Sequence, residues 1–157
     1  MDDGSTDGTT SVATALAHPA LEIVTHRCAE NGGKGAALRT GLQLARGRQV
    51  AFLDVDLAVG PDDLDPLLAA LEAGADLAAG CRNVPGARIT RPQGFWRRNL
   101  GRGYLRVARL ALGIRAPDVT CGFKAFDRRR VGPLLLQTRS RRWGLDAELL
   151  YLARRAG

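Results

Sequence analysis

Two carboxylates, Asp54 and Asp56, stand two positions apart in the apolar stretch AFLDVDLAV, residues 51–59. Along an extended strand, positions two apart share a face, so both side chains would converge on one point. Like charges held that close require a cation between them, or a proton on one of them. Oxygen-only ligands with open coordination positions suit Mg²⁺ or Mn²⁺ bridging to a substrate diphosphate. The C-terminal end of a strand is also where open α/β sheets bind ligands. A pair of solvated acids at a strand end satisfies the same pattern.

Other segments carry groups able to serve such a site. The glycines Gly32, Gly33 and Gly35 precede a helical pattern and would bring backbone N–H groups to a phosphate. The opening DDGSTDGT, residues 2–9, has the character of a loop leaving a strand, because Asp, Ser and Gly favour turns and helix caps. Arginine offers a forked, permanently charged donor set for phosphate, and the second half of the chain is rich in it.

Helical and strand patterns alternate, which predicts an α/β fold with a largely parallel sheet flanked by helices. The expected strands are residues 21–26, 48–55 and 75–81. Leu38, Leu42 and Ala45 mark one helix face, and Leu64, Leu67, Leu68 and Leu71 mark another at helical spacing. Pro61, Asp62 and Asp63 suit a helix start. Leu100, Tyr104, Val107, Ala108 and Ala111 trace the expected packed face of a third helix between residues 96 and 113, with Arg98, Arg102, Arg106 and Arg109 as a basic stripe opposite.

At 157 residues, 45% hydrophobic and 25% charged, the chain is expected to be one soluble domain spanning residues 1–157, with a real core. No apolar run reaches the roughly 18 to 20 residues of a membrane span, and the first residues lack the pattern of a signal peptide. The expected location is the cytoplasm. Cys28, Cys81 and Cys121 are far apart and have only His18 and His26 as co-ligands, which argues against zinc or a disulfide framework. The net charge of +7 hides a division: residues 1–81 hold 5 basic against 12 acidic side chains, and residues 82–157 hold 18 against 4. An acidic half facing a basic half suggests a metal site opposite anion-binding groups, and the basic half would also be drawn to an anionic membrane surface. Basic and aromatic residues do not interleave, and 5% aromatic content argues against nucleic acid as the partner.

Six segments occur in a telling order: DDGSTDGT at 2–9, ENGGKGAALRTGL at 30–42, FLDVDL at 52–57, AAGCR at 78–82, DVTCGFKAF at 118–126 and RRWGLDAELLYLA at 141–153. Together they resemble the family 2 inverting glycosyltransferases of GT-A fold, and most closely the branch that moves a sugar from a nucleotide diphosphate onto dolichyl or polyprenyl phosphate. The resemblance covers nearly the whole chain. It implies that Asp2 and Asp3 hold the base and ribose of the donor nucleotide, with Lys34 in the segment lining the same site. It implies further that Asp54 and Asp56 bind Mg²⁺ or Mn²⁺ and the donor diphosphate. Arg82, Arg97 and Lys124 become acceptor-phosphate contacts, Gly122 a point of close backbone approach, and Arg142 a diphosphate clamp. Asp146, with Glu148, either faces the site or caps the last helix. Ala58 stands where many relatives carry Gln or Ser, Cys81 where the family's Gly-Ser-Arg has serine, and Gly101 where some carry serine.

The family's opening strand, with its Pro-x-x-Asn-Glu motif, has no counterpart in these 157 residues. The resemblance therefore implies a GT-A-like, Rossmann-like sheet without its first strand and C-terminal end, and a chain inactive or nearly so by itself. The implied partners are a UDP- or GDP-sugar, with glucose or mannose as the sugar, a polyprenyl or dolichyl phosphate, and the cytoplasmic face of a membrane. An acceptor phosphate is anionic at neutral pH and needs no general base, whereas a saccharide hydroxyl would need one, such as Asp146 or Asp118. A family 2 transferase acting on a saccharide and an inactive nucleotide-binding fragment are the competing readings.

Overall fold

A computed structural model describes residues 1–56, 59–81, 95–114, 116–142 and 144–157, with the backbone alone described at 95–98 and 102. The chain forms two compact units, Met1–Arg46 with Thr138–Leu145, and Gly47–Gln137 with Asp146–Gly157.

In the first unit, Asp7 sets the start of a short helix. Its carboxylate accepts the Thr9 N–H at 2.9 Å, and α1 runs Thr9–Ala15 without burying any residue. The second helix, α2 (Lys34–Leu44), follows Gly33, whose φ of 84° lies in the left-handed region that glycine tolerates. The strand expected at 21–26 is absent. Two isolated bridges stand in its place: an antiparallel one between His18 and Leu21, and a parallel one between Asp2 and Arg27, carried by Asp2 N–H to His26 O and Cys28 N–H to Asp2 O, both 2.8 Å. The physical reason lies in pairing: a β-strand is stabilised by its neighbour, and Leu21, Ile23 and Val24 stay exposed without one.

The second unit carries the sheet. Its strands are β1 (Gln49–Phe52), β2 (Leu77–Ala79) and β3 (Lys124–Asp127), ordered β1-β3-β2. Here the expected parallel pairing is corrected: β3 lies between the other two and is antiparallel to both. Since each opposes β3, β1 and β2 share a direction, as a βαβ reading requires, and the last strand inserts between them in reverse. A turn of 3₁₀ helix at Pro61–Asp63 leads into α3 (Leu64–Glu72), which connects β1 to β2. Leu67 and Leu71 of α3 pack with Ala78, Cys121, Phe123 and Ala125, the contacts the leucine spacing anticipated.

Asp127 ends β3 and starts α5 (Arg128–Gln137). One carboxylate oxygen accepts the N–H groups of Arg129 and Arg130 at 2.8 and 3.3 Å, and the other accepts Arg48 Nε at 3.0 Å. These bonds, Arg48 foremost, hold the Asp127 carboxyl below its ordinary pKa. Pro133 sits inside α5 and removes one helical donor, which burial of Val131, Gly132 and Leu135 offsets.

The helix α4 (Phe95–Leu112) packs on a face turned about a quarter of the way round from the expected one. Ala108 is buried, with Leu105 and Leu112 beside it, against Ile114, Val119 and Ala147 of the last helix, α6 (Leu145–Ala156). Leu100, Val107 and Leu110 are 78%, 64% and 87% exposed, and Tyr104 and Ala111 are exposed too, so of the five residues read as the packed face Ala108 packs and the other four face outward. Alternation of apolar and basic residues marks an amphipathic helix without saying which flank packs; the small Ala108 permits the closer approach. Among the described residues no helix is long and apolar enough to cross a membrane.

Candidate active site

Strand β1 ends at Phe52, two residues before the first acid. Asp54 is half-buried, while Val55 is 98% exposed and Asp56 lies exposed in a turn. The shared-face argument for the two acids is thereby corrected, since neither lies in a regular strand. The cause is the partner: β3 begins at Lys124, paired with Phe52, and the segment before it is irregular. Continuing the antiparallel register by two residues sets Asp54 opposite Gly122. A side chain on Gly122 would collide with the Asp54 carboxylate, so this glycine supplies the close backbone approach that the motif suggested.

Two carboxylates, one half-buried and one exposed, suit a hard cation that keeps most of its coordination for phosphate and water. No group of three or more His, Cys, Asp or Glu is gathered for a metal among the described residues, and Leu57 and Ala58 lie outside them.

Lys124 is not a free phosphate contact. Its side chain is fully buried, its Nζ donates to Asp146 Oδ1 at 2.6 Å and to the Cys121 carbonyl, and it lies 5.7 Å from the Phe52 ring centroid. The assignment of Lys124 to the acceptor phosphate is corrected accordingly: an ammonium sealed in the core reaches no lipid headgroup. Asp146, in the first turn of α6 and buried, takes the other half of this ion pair. Asp118 is buried as well, and accepts the Thr120 N–H at 3.0 Å and the Thr120 hydroxyl at 3.2 Å.

In the first unit, the glycine entry to α2 is already occupied. Asp3 accepts the N–H groups of Gly32 and Gly33 at 2.9 and 2.7 Å, and Gly35 N–H goes to the Arg141 carbonyl at 2.8 Å. The phosphate cradle expected from Gly32, Gly33 and Gly35 is therefore spent on the protein's own oxygens. Side chains at Gly33 and Gly35 would strike the Arg141 and Ser140 carbonyls, so these glycines admit the 138–142 segment against α2. Arg39 Nη1 grips that segment through the Thr138 carbonyl and hydroxyl at 3.2 and 3.0 Å and the Ser140 carbonyl at 3.3 Å. Sequence reasoning left Arg39 unassigned. The segment carries Arg142, which is exposed, with its Cγ beside Gly33.

Asp2 is ordered by its own loop. The Ser5 hydroxyl, the Thr10 hydroxyl and the Ser5 N–H, the last at 2.9 Å, lower its pKa to about 2, with Arg27 adding to the effect. The carboxylate is thus kept charged in a half-buried loop. Lys34, the first residue of α2, is half-buried. Arg82 and the side chain of Arg97 lie outside the described residues.

The site residues fall into two sets, Asp2, Asp3, Lys34 and Arg142 in the first unit, and Asp54, Asp56, Lys124 and Asp146 in the second. Asp54 and Asp56 follow β1 in an α/β core, and Asp54 is seated against Gly122 in the irregular segment that precedes β3. Residues 1–132 match the family model described as glycosyl transferase family 2, and the chain belongs to that family. It is 35% identical over 161 positions to a dolichyl-phosphate beta-glucosyltransferase of Drosophila melanogaster, covering 98% of this chain and 49% of the relative. It is 40% identical over 134 positions to a polyprenol monophosphomannose synthase of Mycolicibacterium smegmatis, covering 82% and 49%. A glycosyltransferase of Haloferax volcanii, AglD, is 33% identical over 99% of this chain and 25% of its own. The chain spans about half the length of the first two curated relatives and a quarter of the third.

Proposed function

We propose that the protein transfers a hexosyl group, glucose or mannose, from a UDP- or GDP-sugar to a polyprenyl or dolichyl phosphate, inverting the anomeric configuration. The carrying observation is the seating of Asp54 on Gly122 in a family 2 chain whose relatives are named for those acceptors. An oxygen of the acceptor phosphate attacks the anomeric carbon as the bond to the nucleotide diphosphate breaks, so one displacement inverts the centre. Mg²⁺ or Mn²⁺, when bound, would neutralise charge developing on the leaving diphosphate. Asp54 and Asp56 are the residues proposed to hold it. Asp2 and Asp3 order the loops proposed to receive the nucleotide, and Arg142 is the proposed clamp on its diphosphate. Arg82 and Arg97 remain the proposed contacts to the acceptor phosphate.

The engagement of Asp146 by Lys124 favours the phosphate acceptor over a saccharide hydroxyl. A base committed to a buried ammonium is poorly placed to take a proton, and a phosphate acceptor requires none. Product analysis with both acceptor classes separates the two readings.

A cytoplasmic membrane surface is the proposed place of work. The outward stripe of Leu100, Tyr104, Val107 and Ala111 on α4 supports it, as does the exposed Arg106 on the same helix. An apolar flank beside basic side chains suits a helix lying in the headgroup region. Vesicles containing anionic lipid should bind the protein more strongly at low salt than at high salt, and Leu100→Gln with Val107→Gln should weaken what salt leaves behind. Flotation that is indifferent to both salt and the substitutions would make α4 an ordinary solvated helix.

A further inference from the structure

We infer that Lys124 is a positioning residue, which from inside the core fixes the backbone on which the Asp54 carboxylate rests and the Asp146 carboxylate at the start of α6. This rests on the reading of Asp54 as a holder of the donor diphosphate. Lysine is almost never fully buried without a partner, because an ammonium loses its hydration there. Lys124 has no exposed surface and replaces water with three partners: the Asp146 carboxylate at 2.6 Å, the Cys121 carbonyl, and the face of Phe52 at 5.7 Å.

The strand register explains what this arrangement controls. Phe52 pairs with Lys124, so the two chains leave the ladder together, one toward Asp54 and the other back toward Gly122. Residues 121–123 lie outside the assigned strands, where the Gly80 N–H donates to the Phe123 carbonyl at 2.8 Å. The Lys124 ammonium reaches back three residues to the Cys121 carbonyl and ties that segment to the strand it precedes. At the segment's far end Asp118 holds Thr120. Gly122 lies inside the Cys121–Lys124 tie, and the Asp54 carboxylate occupies the space a side chain there would fill. Lys124 thus orients Asp54 without touching it, in the way groups behind a metal ligand set that ligand's geometry.

The test uses Lys124→Met in the natural protein, with the double variant Lys124→Met/Asp146→Leu beside it. The double variant leaves no unpaired buried charge, so it reports even where the single variant does not fold. Calorimetry with Mn²⁺ and UDP or GDP should show about 10-fold weaker binding of the metal-nucleotide in both variants. In the metal-free protein, amide exchange at residues 121–123 should accelerate about 10-fold while α3 keeps its parental protection. Parental exchange at 121–123 in the double variant would overturn the proposal. So would a raised KM for polyprenyl phosphate with donor binding intact, the signature of a direct acceptor contact. Should the parent protein bind no metal-nucleotide, the reading of Asp54 fails, and the exchange measurement still decides whether Lys124 holds its seat.

Discussion

Asp54→Ala and Asp56→Ala are each expected to lower sugar transfer by about 100- to 1000-fold, the range seen when one group that stabilises developing transition-state charge is removed. Both acids sit at the end of β1 and contribute little to the core, so the loss should come without unfolding. Asp54 is half-buried against Gly122, and Asp56 is exposed. Two carboxylates leave most coordination positions of a hard cation to phosphate and water. Mn²⁺ should therefore bind weakly alone and much more tightly with UDP or GDP, and either substitution should abolish that enhancement. Calorimetry with and without nucleotide measures it, and an unchanged metal affinity in Asp56→Ala would remove that residue from the site.

Gly35→Ala carries the second large effect, and it acts on stability. The added methyl group would press on the Ser140 carbonyl, which is backbone and itself held by Arg39. Overpacking against a backbone that cannot yield costs about 1–3 kcal/mol. For a chain of this size that corresponds to a fall in Tm of roughly 2–12 °C. The same change should push the 138–142 segment off α2 and so disturb Arg142. Thermal melting of Gly35→Ala beside Gly41→Ala, whose added methyl would meet only the flexible Met1 side chain, separates the close contact from the loss of a glycine.

Periodicity made three of the six described helices legible, α2, α3 and α4. The leucines of α3 and the entry at Pro61 are found where their spacing set them, because α3 covers one face of a sheet and needs one apolar side. Helix α4 kept its limits but packs through Leu105, Ala108 and Leu112, so that Ala108 alone of the expected face is buried. No element was expected at 128–137, where α5 carries Gly132 and Pro133 in its interior and starts on Asp127, whose carboxylate accepts the Arg129 N–H. The antiparallel insertion of β3 leaves no local signal, because direction is a property of pairing between distant segments. In the candidate site, residue types were legible and partners were not. Lys124, the last residue of CGFK, resembles a phosphate ligand until Asp146, 22 positions later, is seen to hold it. Gly33 and Gly35 resemble a phosphate loop until the 138–142 segment is seen to occupy the space.

The central claim is transfer to a polyprenyl phosphate. Its most direct test supplies the natural protein with Mn²⁺ and radiolabelled UDP-glucose or GDP-mannose, and offers polyprenyl phosphate and a saccharide acceptor in parallel. Label is expected in the lipid phase as a sugar of inverted anomeric configuration on the phosphate. Label appearing only on the saccharide hydroxyl would contradict it.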